Sequence, residues 1–227
     1  MTELKKIYNE IQGGSLKSKR DKHFKKHLIE PNSMILCIGG TGSGKSNSLI
    51  NFLSRKNSAF NEIIIFTGST DDEPLYNLIR QRIPSTQLYT DIEELPELTE
   101  FDNENKKLEK LPIFDDFIGL KKSEMVKINK YLPSGRKFGF TCWLMSQNHT
   151  SVPKVITRNT QYFIVFKLND NTTINNIFRN HNIEGIDRDT FRSMYLHSTS
   201  EKVNFFMIDL KNREWMLRRN FIEILTV

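Results

Sequence analysis

Short apolar runs alternate along the chain with segments of helical character. The runs lie at 34–38, 62–66, 111–114, 138–145 and 162–168, and the helical segments lie at 45–55, 73–82, 122–131, 172–180 and 187–196. Continuous apolar strands are typical of a parallel sheet that helices cover on both faces. Since the intervening lengths suit crossover helices, the pattern predicts an α/β fold with a mainly parallel central sheet.

The last part of the chain has a different pattern. Residues 203–210 and 215–221 are rich in β-forming side chains, and the polar segment 211–214 separates them. These two runs predict a C-terminal antiparallel hairpin appended to the sheet. Upstream, residues 93–110 are acidic and then of mixed charge, with little periodicity. This composition predicts a surface excursion before the next strand.

The length of 227 residues suits one substantial α/β domain. We predict this domain at 31–227, with the hairpin at about 203–221, after a basic N-terminal arm or short helix at 1–30. The arm carries a cluster of cations, namely Lys17, Lys19, Arg20, Lys22, Lys25 and Lys26. Such a cluster can contact the phosphates of a nucleic acid, but a solvated leader explains it equally well.

Composition narrows the classes of protein. The net charge of +6 permits contact with nucleic acid without indicating it by itself. Cys37 and Cys142 lie in apolar runs, which predicts buried free thiols in a reducing compartment. No run approaches the roughly 18 apolar residues of a membrane span, and the N-terminus is too charged for a signal peptide. We therefore expect no membrane segment and a protein that works in the cytosol or inside an assembly.

A phosphate-binding motif follows the first apolar strand. The pattern G-x-x-x-x-G-K-[ST] is matched by Gly39, Gly40, Thr41, Gly42, Ser43, Gly44, Lys45 and Ser46. In such a P-loop, the backbone N–H groups and the start of the following helix surround the phosphates of ATP. Lys45 is predicted to reach the β- and γ-phosphates, and the hydroxyl of Ser46 to bind Mg²⁺. A turn that binds nothing is disfavoured, because strand, loop and helix occur in the required order.

Two acids end another apolar strand. Asp115 and Asp116 directly follow the run 111–114. We predict that Asp115 holds Mg²⁺, and that Asp116 is the base or water-orienting group for attack on the γ-phosphate. Adjacent aspartates also occur in ordinary turns, but the strand before them and the upstream P-loop favour the site. Together these motifs predict a P-loop NTPase fold of the RecA-like, or ASCE, type.

A polar residue also ends the strand predicted at 138–145. Ligands in open α/β sheets bind beyond the carboxyl ends of the strands. Gln147, which follows this strand, is therefore predicted to sense the γ-phosphate or its attacking water, although a plain strand-terminating turn is the alternative.

At this point the chain resembles the FtsK/HerA superfamily of DNA-pumping ATPases, and within it the small genome-packaging ATPases of large DNA viruses, virophages and their relatives. The resemblance covers roughly residues 34–168. It rests on the P-loop, the acid pair and an ordered set of later residues: Gly135, Arg136, Gly139, Gln147, Ser151, Val152, Val155, Ile156 and Asn159. The second acid is Asp116, where FtsK-like pumps usually carry glutamate. Paired aspartates favour the viral branch.

The resemblance implies an ATP-hydrolysing translocase that packages double-stranded viral DNA into a capsid. It implies a homo-oligomeric ring with ATP held between subunits and an arginine donated by the neighbour. Arg136 matches that arginine's motif position, and Arg158 is the second candidate. The implied partner is a viral capsid or vertex protein. The implied location is the host cytoplasm or a viral factory, with association to the virion.

Other nucleotide-binding proteins share a P-loop. A small nucleotide kinase would need an acceptor pocket and an arginine-rich lid, and neither is evident in the sequence. A GTPase would normally carry an Asn-Lys-x-Asp motif, and an ABC transporter subunit a Leu-Ser-Gly-Gly signature; both motifs are missing. A helicase remains an alternative within the class of DNA motors.

Overall fold

The computed structural model describes residues 22–56, 60–68, 73–101, 108–181, 183 and 185–226. The strands are β1 Met34–Ile38, β2 Glu62–Thr67, β3 Thr86–Tyr89, β4 Lys110–Asp115, β5 Cys142–Ser146, β6 Tyr162–Val165, β7 Phe206–Asp209, β8 Leu217–Arg219 and β9 Glu223–Ile224. The helices are α1 Lys45–Lys56, α2 Pro74–Arg82, α3 Lys122–Ser134, α4 Lys154–Asn159, α5 Thr172–Asn180 and α6 Arg188–Ser198.

In this described part of the chain, the strands form one nine-stranded sheet in the order β3-β2-β4-β5-β1-β6-β7-β8-β9. Pairing is parallel from β3 to β6. Every residue of the central strand β1 is buried. Leu36 and Ile38 belong to one hydrophobic cluster, whereas Ile35 and Cys37 belong to another. Because successive side chains of a strand point to opposite faces, the sheet is covered on both sides. The predicted fold is thus confirmed.

The predicted C-terminal hairpin is confirmed, with shorter strands than expected. β7 pairs antiparallel with β6 and β8 pairs antiparallel with β7. At this end of the sheet, Asp209 and Arg218 form a fully buried ion pair at 3.3 Å. The short strand β9 extends the sheet by one antiparallel pairing that the sequence pattern did not predict.

Two predicted strand boundaries were wrong. The strand expected at 138–145 spans Cys142–Ser146, because Gly135–Phe138 form a 3-10 helix and Gly139 has a φ of 79°. A left-handed residue interrupts an extended strand. The strand expected at 162–168 ends at Val165. Beyond it, the N–H of Leu168 donates to the hydroxyl of Tyr195 at 2.8 Å, which turns the chain away from the sheet.

Elements without clear apolar periodicity escaped prediction. Strand β3 is only four residues long, begins with two polar residues, and lies at the edge of the sheet beside β2. Helix α4 has only six residues, fewer than two turns, and is too short to present a periodic pattern. The segment 93–110 was predicted to lie on the surface, but it is partly packed into the core, because Leu95 and Phe101 are buried. The ring of Phe101 packs edge-to-face on Tyr131 of α3.

Half of the basic cluster of the predicted arm, namely Lys17, Lys19 and Arg20, lies outside the described residues, whereas Lys22, Lys25 and Lys26 lie within them. In the described range 22–56, Phe24 and Ile29 are buried in the core. Both cysteines are free and buried, as predicted. Burial raises the pKa of each thiol to about 12. Over the described ranges, none of the helices has the length and apolar character needed to cross a membrane.

Candidate nucleotide site

The P-loop connects the buried strand β1 to helix α1. Gly44 has a φ of 110°, and a side chain there would also lie 3.2 Å from Val203. At Gly39, an added Cβ would lie 2.4 Å from the Oγ of Ser43 and 2.8 Å from the Cβ of Phe166. Both positions therefore require glycine. Gly44 needs it for its backbone conformation and its close contact with Val203, and Gly39 needs it because no space is left for a side chain. The loop is packed tightly between its own residues and the segment after β6.

Lys45 is the first residue of α1 and turns back over the loop. Its ammonium donates to the carbonyl of Gly39 at 2.7 Å and to that of Gly40 at 3.0 Å. The next residue, Ser46, lines the same cavity as Lys45. The two side chains therefore lie together at the helix N-terminus, where backbone N–H groups favour anions.

A cavity of about 340 Å³ joins this loop to the ends of β4 and β5. It is lined by Thr41, Gly42, Lys45, Ser46, Glu73, Asp115, Asp116, Met145, Ser146 and Gln147. The structure thus brings together the predicted cation, hydroxyl, acid pair and glutamine from three separate segments of the chain. This convergence follows from the strand order, because β4, β5 and β1 are neighbours whose carboxyl ends meet at one edge.

Asp115 is the more buried of the two acids. It ends β4 and accepts a hydrogen bond from the hydroxyl of Tyr76, which comes from helix α2. Burial raises the pKa of Asp115, while the Tyr76 hydrogen bond and the charge of Lys45 oppose this shift. Lys45 and Asp115 line the same cavity, and the charge of the lysine favours the ionised carboxylate.

Asp116 is exposed and occupies a left-handed backbone position, with φ 49° and ψ 40°. This turn is held by the end of β2. The N–H of Gly68 donates to the carbonyl of Asp115 at 3.1 Å. An added Cβ at Gly68 would lie 2.3 Å from the carbonyl oxygen of Asp116. The acid pair therefore depends on a glycine at the end of the adjacent strand.

Gln147 follows β5 and contacts the P-loop directly. The hydroxyl of Thr41 donates to its side-chain oxygen at 3.4 Å. Just before it, the carbonyl of Ser146 accepts a hydrogen bond from the N–H of Gly39 at 3.1 Å. These two contacts fix the end of β5 against the start of the loop, so Gln147 lies between the loop and the acids.

Comparison with known proteins shows the family and the fold of the chain. A family model described as Poxvirus A32 protein matches residues 20–211. The chain belongs to this family. The match confirms the predicted resemblance to viral packaging ATPases of the FtsK/HerA type. Among curated proteins, no sequence matches the chain.

Solved structures with 14–15% sequence identity share the fold of this A32-family chain. The DNA-packaging ATPase B204 from Sulfolobus Turreted Icosahedral Virus has a TM-score of 0.58 at 15% identity, over 85% of this chain and 98% of B204. The genome packaging NTPase B204 from Sulfolobus turreted icosahedral virus 2, in complex with AMPPCP, has a TM-score of 0.57 at 15% identity, over 83% and 96%. The pCW3 conjugation coupling protein TcpA, in a monomer form with ATPγS, gives 0.56 at 14% identity, over 88% and 62%.

The two candidate arginines of this A32-family chain are exposed and do not line the cavity. Arg136 lies just before Gly139, whose carbonyl accepts from the N–H of Lys110 at the start of β4 at 3.2 Å. Arg158 lies just before Gln161, whose N–H donates to the carbonyl of Met34 at the start of β1 at 3.0 Å. Both arginines therefore lie toward the edge where the parallel strands begin, opposite the P-loop.

Sequence reasoning missed Glu73 and Tyr76. Glu73 lines the cavity at the start of α2, and its pKa is raised by burial and then by the charge of Asp115, against the effect of Lys45. Both residues follow β2, which is the neighbour of β4. The signal that could have found them is the rule that ligands bind at the carboxyl edge, applied to every apolar strand.

Proposed function

We propose that the protein is an ATP-hydrolysing DNA translocase that packages double-stranded viral DNA into a capsid. One observation carries the proposal: a single cavity joins P-loop residues Lys45 and Ser46 to Asp115, Asp116 and Gln147. The cavity lies in a chain of the Poxvirus A32 family, and the fold is shared with a DNA-packaging ATPase. This combination favours ATP hydrolysis coupled to movement of DNA.

The residues fit a nucleoside triphosphate with Mg²⁺. Ser46, Asp115 and Asp116 offer oxygen atoms, which are the ligands that Mg²⁺ prefers. Within the P-loop, the buried hydroxyl of Ser43 has no hydrogen-bond partner in the described structure, so it is a donor that a phosphate can use. We infer that Ser46 and Asp115 hold Mg²⁺, which neutralises charge on the β- and γ-phosphates when bound. Lys45 binds the same phosphates.

The exposed carboxylate of Asp116 then orients or deprotonates the attacking water, and Gln147 senses the γ-phosphate from the end of β5. Neither candidate arginine lines the cavity of its own subunit. We therefore infer that Arg136, or in its place Arg158, acts on the ATP of a neighbouring subunit in a ring. An arginine supplied in this way stabilises charge in the transition state.

Translocation needs contacts that work on any DNA sequence. Phosphate contacts supply affinity and carry little sequence information, so a mildly basic ring suits a packaging motor. In this proposal a capsid or vertex protein anchors the ring. The motor acts in the host cytoplasm or a viral factory and associates with the virion.

The test is steady-state ATP hydrolysis with and without double-stranded DNA, for the native chain, Lys45→Ala and Asp116→Asn. DNA is expected to stimulate the native rate. Each substitution should lower that rate by about 10²-fold or more, because it removes a group that acts on the transition state. Asp189→Asn, an exposed change on α6 outside the cavity lining, is the matched control and should retain the native rate.

A native chain that hydrolyses ATP at the same rate with and without DNA would contradict the translocase. If Asp116→Asn kept the native rate, the acid pair would lose its assigned role. Strand separation of a DNA duplex, without net movement along intact double-stranded DNA, would favour the helicase alternative.

A further inference from the structure

An N-terminal strap, residues 22–30, leads into the central strand β1 and carries three exposed lysines, Lys22, Lys25 and Lys26. Within the part of the chain that the structure describes, none of these three side chains forms a hydrogen bond or an ion pair. The strap does not line the nucleotide cavity. These lysines therefore form a group of cations that the ATP site does not use.

The strap is bound to the domain at both of its ends. Phe24 is buried, and its ring lies 6.2 Å from the ring of Trp215 in the turn before β8. At the other end, the N–H of Glu30 donates to the hydroxyl of Tyr162, the first residue of β6, at 3.0 Å. Because the backbone between these contacts is held against the domain, the lysines project from fixed positions. This arrangement disfavours a freely solvated leader.

Helix α1 and the C-terminal hairpin contribute further cations to the same surface. The guanidinium of Arg55, in the last turn of α1, donates to the carbonyl of Lys26 at 2.9 Å. Lys211, in the turn between β7 and β8, pairs with Glu30 of the strap at 2.8 Å. The acid of the strap is therefore already neutralised by a cation from the hairpin.

Positive charge predominates on this surface. The strap and the turn 210–216 contain five cations, Lys22, Lys25, Lys26, Lys211 and Arg213, against two acids, Glu30 and Glu214. The strap adjoins the start of β1, whereas the acids of the nucleotide cavity lie where the parallel strands end. The two edges of the sheet thus carry opposite charge at these places, and an anionic partner would be attracted to the strap.

The strap lies on a different face of the sheet from the two candidate arginines. Ile29 of the strap belongs to the hydrophobic cluster on the face that α1 covers. Ile156 and Phe138, which share their short helices with Arg158 and Arg136, pack in the cluster on the other face. Contact of these arginines with a neighbouring subunit therefore leaves the strap available to a different partner.

We propose that the strap, together with the end of α1 and the turn 210–216, is a surface that binds the phosphate backbone of double-stranded DNA. This inference rests on the proposed function, which makes double-stranded DNA the substrate. Lysines that neutralise phosphates release counterions and read no base, so they suit a motor that acts on any sequence. The three strap lysines have no ion pair to break before they bind.

Helix α1 connects this surface to the nucleotide site. The helix begins at Lys45 and Ser46 of the P-loop, and Arg55 in its last turn bonds the strap. Its twelve residues span about 18 Å. DNA on the strap is therefore separated from the phosphates of ATP by a single helix, which gives a direct physical route for stimulation of hydrolysis by DNA.

The experiment measures binding of double-stranded DNA of arbitrary sequence by fluorescence anisotropy over a range of salt concentrations. It compares the native chain with a variant that combines Lys22→Gln, Lys25→Gln and Lys26→Gln. The variant is expected to bind about ten-fold or more weakly, and its slope of log affinity against log salt should be smaller by about 2–3, because three phosphate contacts are lost. Hydrolysis of ATP without DNA should stay at the native rate, which also shows that the variant is folded.

Two control variants separate local contacts from net charge. Combined Lys22→Arg, Lys25→Arg and Lys26→Arg keeps the charges of the strap and should bind DNA as the native chain does. Combined Lys121→Gln, Lys122→Gln and Lys130→Gln removes the same charge from exposed lysines at α3 and should keep the native affinity and salt slope.

Native affinity and salt slope in the glutamine variant of the strap would overturn the proposed surface. An equal loss in the α3 variant would also overturn it, because net charge alone would then account for binding. A native chain that binds no double-stranded DNA refutes the proposed function itself. The titration of the native chain therefore separates the two failures.

Discussion

Single residues of the acid cavity depend on partners that are distant in the sequence. Asp115 receives a hydrogen bond from Tyr76, and Glu73 adds a further negative charge to the same cavity. Burial raises the pKa of Asp115, so a donor that stabilises its carboxylate matters for the metal-binding role that we propose for it. The sequence identified the acid pair, but it did not identify Glu73 or the donor.

We expect Tyr76→Phe to raise the Mg²⁺ concentration needed for half-maximal hydrolysis by about ten-fold, because a ligand without its supporting hydrogen bond is oriented less well. The measurement is a Mg²⁺ titration of the hydrolysis rate. Tyr89→Phe removes a hydroxyl that bonds Gln87 from a half-buried tyrosine outside the cavity lining, and it should leave the titration unchanged. An identical shift in both variants would remove the assigned role of Tyr76.

At the scale of elements, the turn after β4 is shaped by the end of β2. Gly68→Ala is expected to lower ATP hydrolysis by about ten-fold or more, since its Cβ would lie 2.3 Å from the carbonyl oxygen of Asp116 and displace the acid that we propose aligns water. The matched control is Gly119→Ala in the same region, where an added Cβ meets nothing within 4 Å. A native rate in Gly68→Ala, measured beside the control, would show that the turn tolerates the displacement.

The buried pair of Asp209 and Arg218 secures the antiparallel end of the sheet. Burial raises the pKa of Asp209 to about 6, although Arg218 opposes the shift. A carboxyl group whose pKa is higher in the folded chain contributes most to stability at low pH. That contribution falls as the pH rises from the unfolded value toward the folded one.

Arg218→Met should therefore lower the free energy of unfolding by ~3–5 kcal/mol at pH 8, where Asp209 would be charged and buried without its partner. The loss should be smaller at pH 5, because protonation removes that charge. Adding Asp209→Asn should recover much of the loss at pH 8. Urea unfolding of the native chain, the single variant and the double variant at both pH values is the measurement. A loss that is the same at both pH values would contradict the account.

At the scale of the whole molecule, the two arginines lie toward the sheet edge opposite the P-loop. Arg136→Ala and Lys45→Ala subunits should each be inactive alone, and mixing them should restore part of the hydrolysis. In the mixture, an intact P-loop can meet an arginine from its neighbour. Lys137→Ala, which changes the adjacent exposed cation, should stay active alone. No recovery on mixing would argue against an arginine supplied by the neighbour, and the same mixture with Arg158→Ala tests the second candidate.

The sequence by itself determined the parts that are encoded by contiguous residues. Buried parallel strands are continuous apolar runs, and the P-loop needs its glycines, lysine and serine in one fixed order, so β1, the loop and α1 could be predicted together. The acid pair could be predicted for the same reason, because it directly follows an apolar strand. Strand boundaries were predicted less well where the conformation of a single residue sets them. Gly139, which has a left-handed conformation, delays the start of β5 to Cys142 in this way.

Only the tertiary structure decided which distant segments meet. The order of strands around β1 places Glu73 and Tyr76 beside Asp115, and it places segment 199–204 against the P-loop. Glu73 and most residues of segment 199–204 are polar and lie in turns or at a helix end, so they carry no periodicity that a sequence pattern can detect. Tyr76 belongs to the buried face of α2, and its place in that pattern does not reveal that its hydroxyl bonds Asp115. Their contacts arise from packing between segments far apart in the chain, which local sequence does not specify.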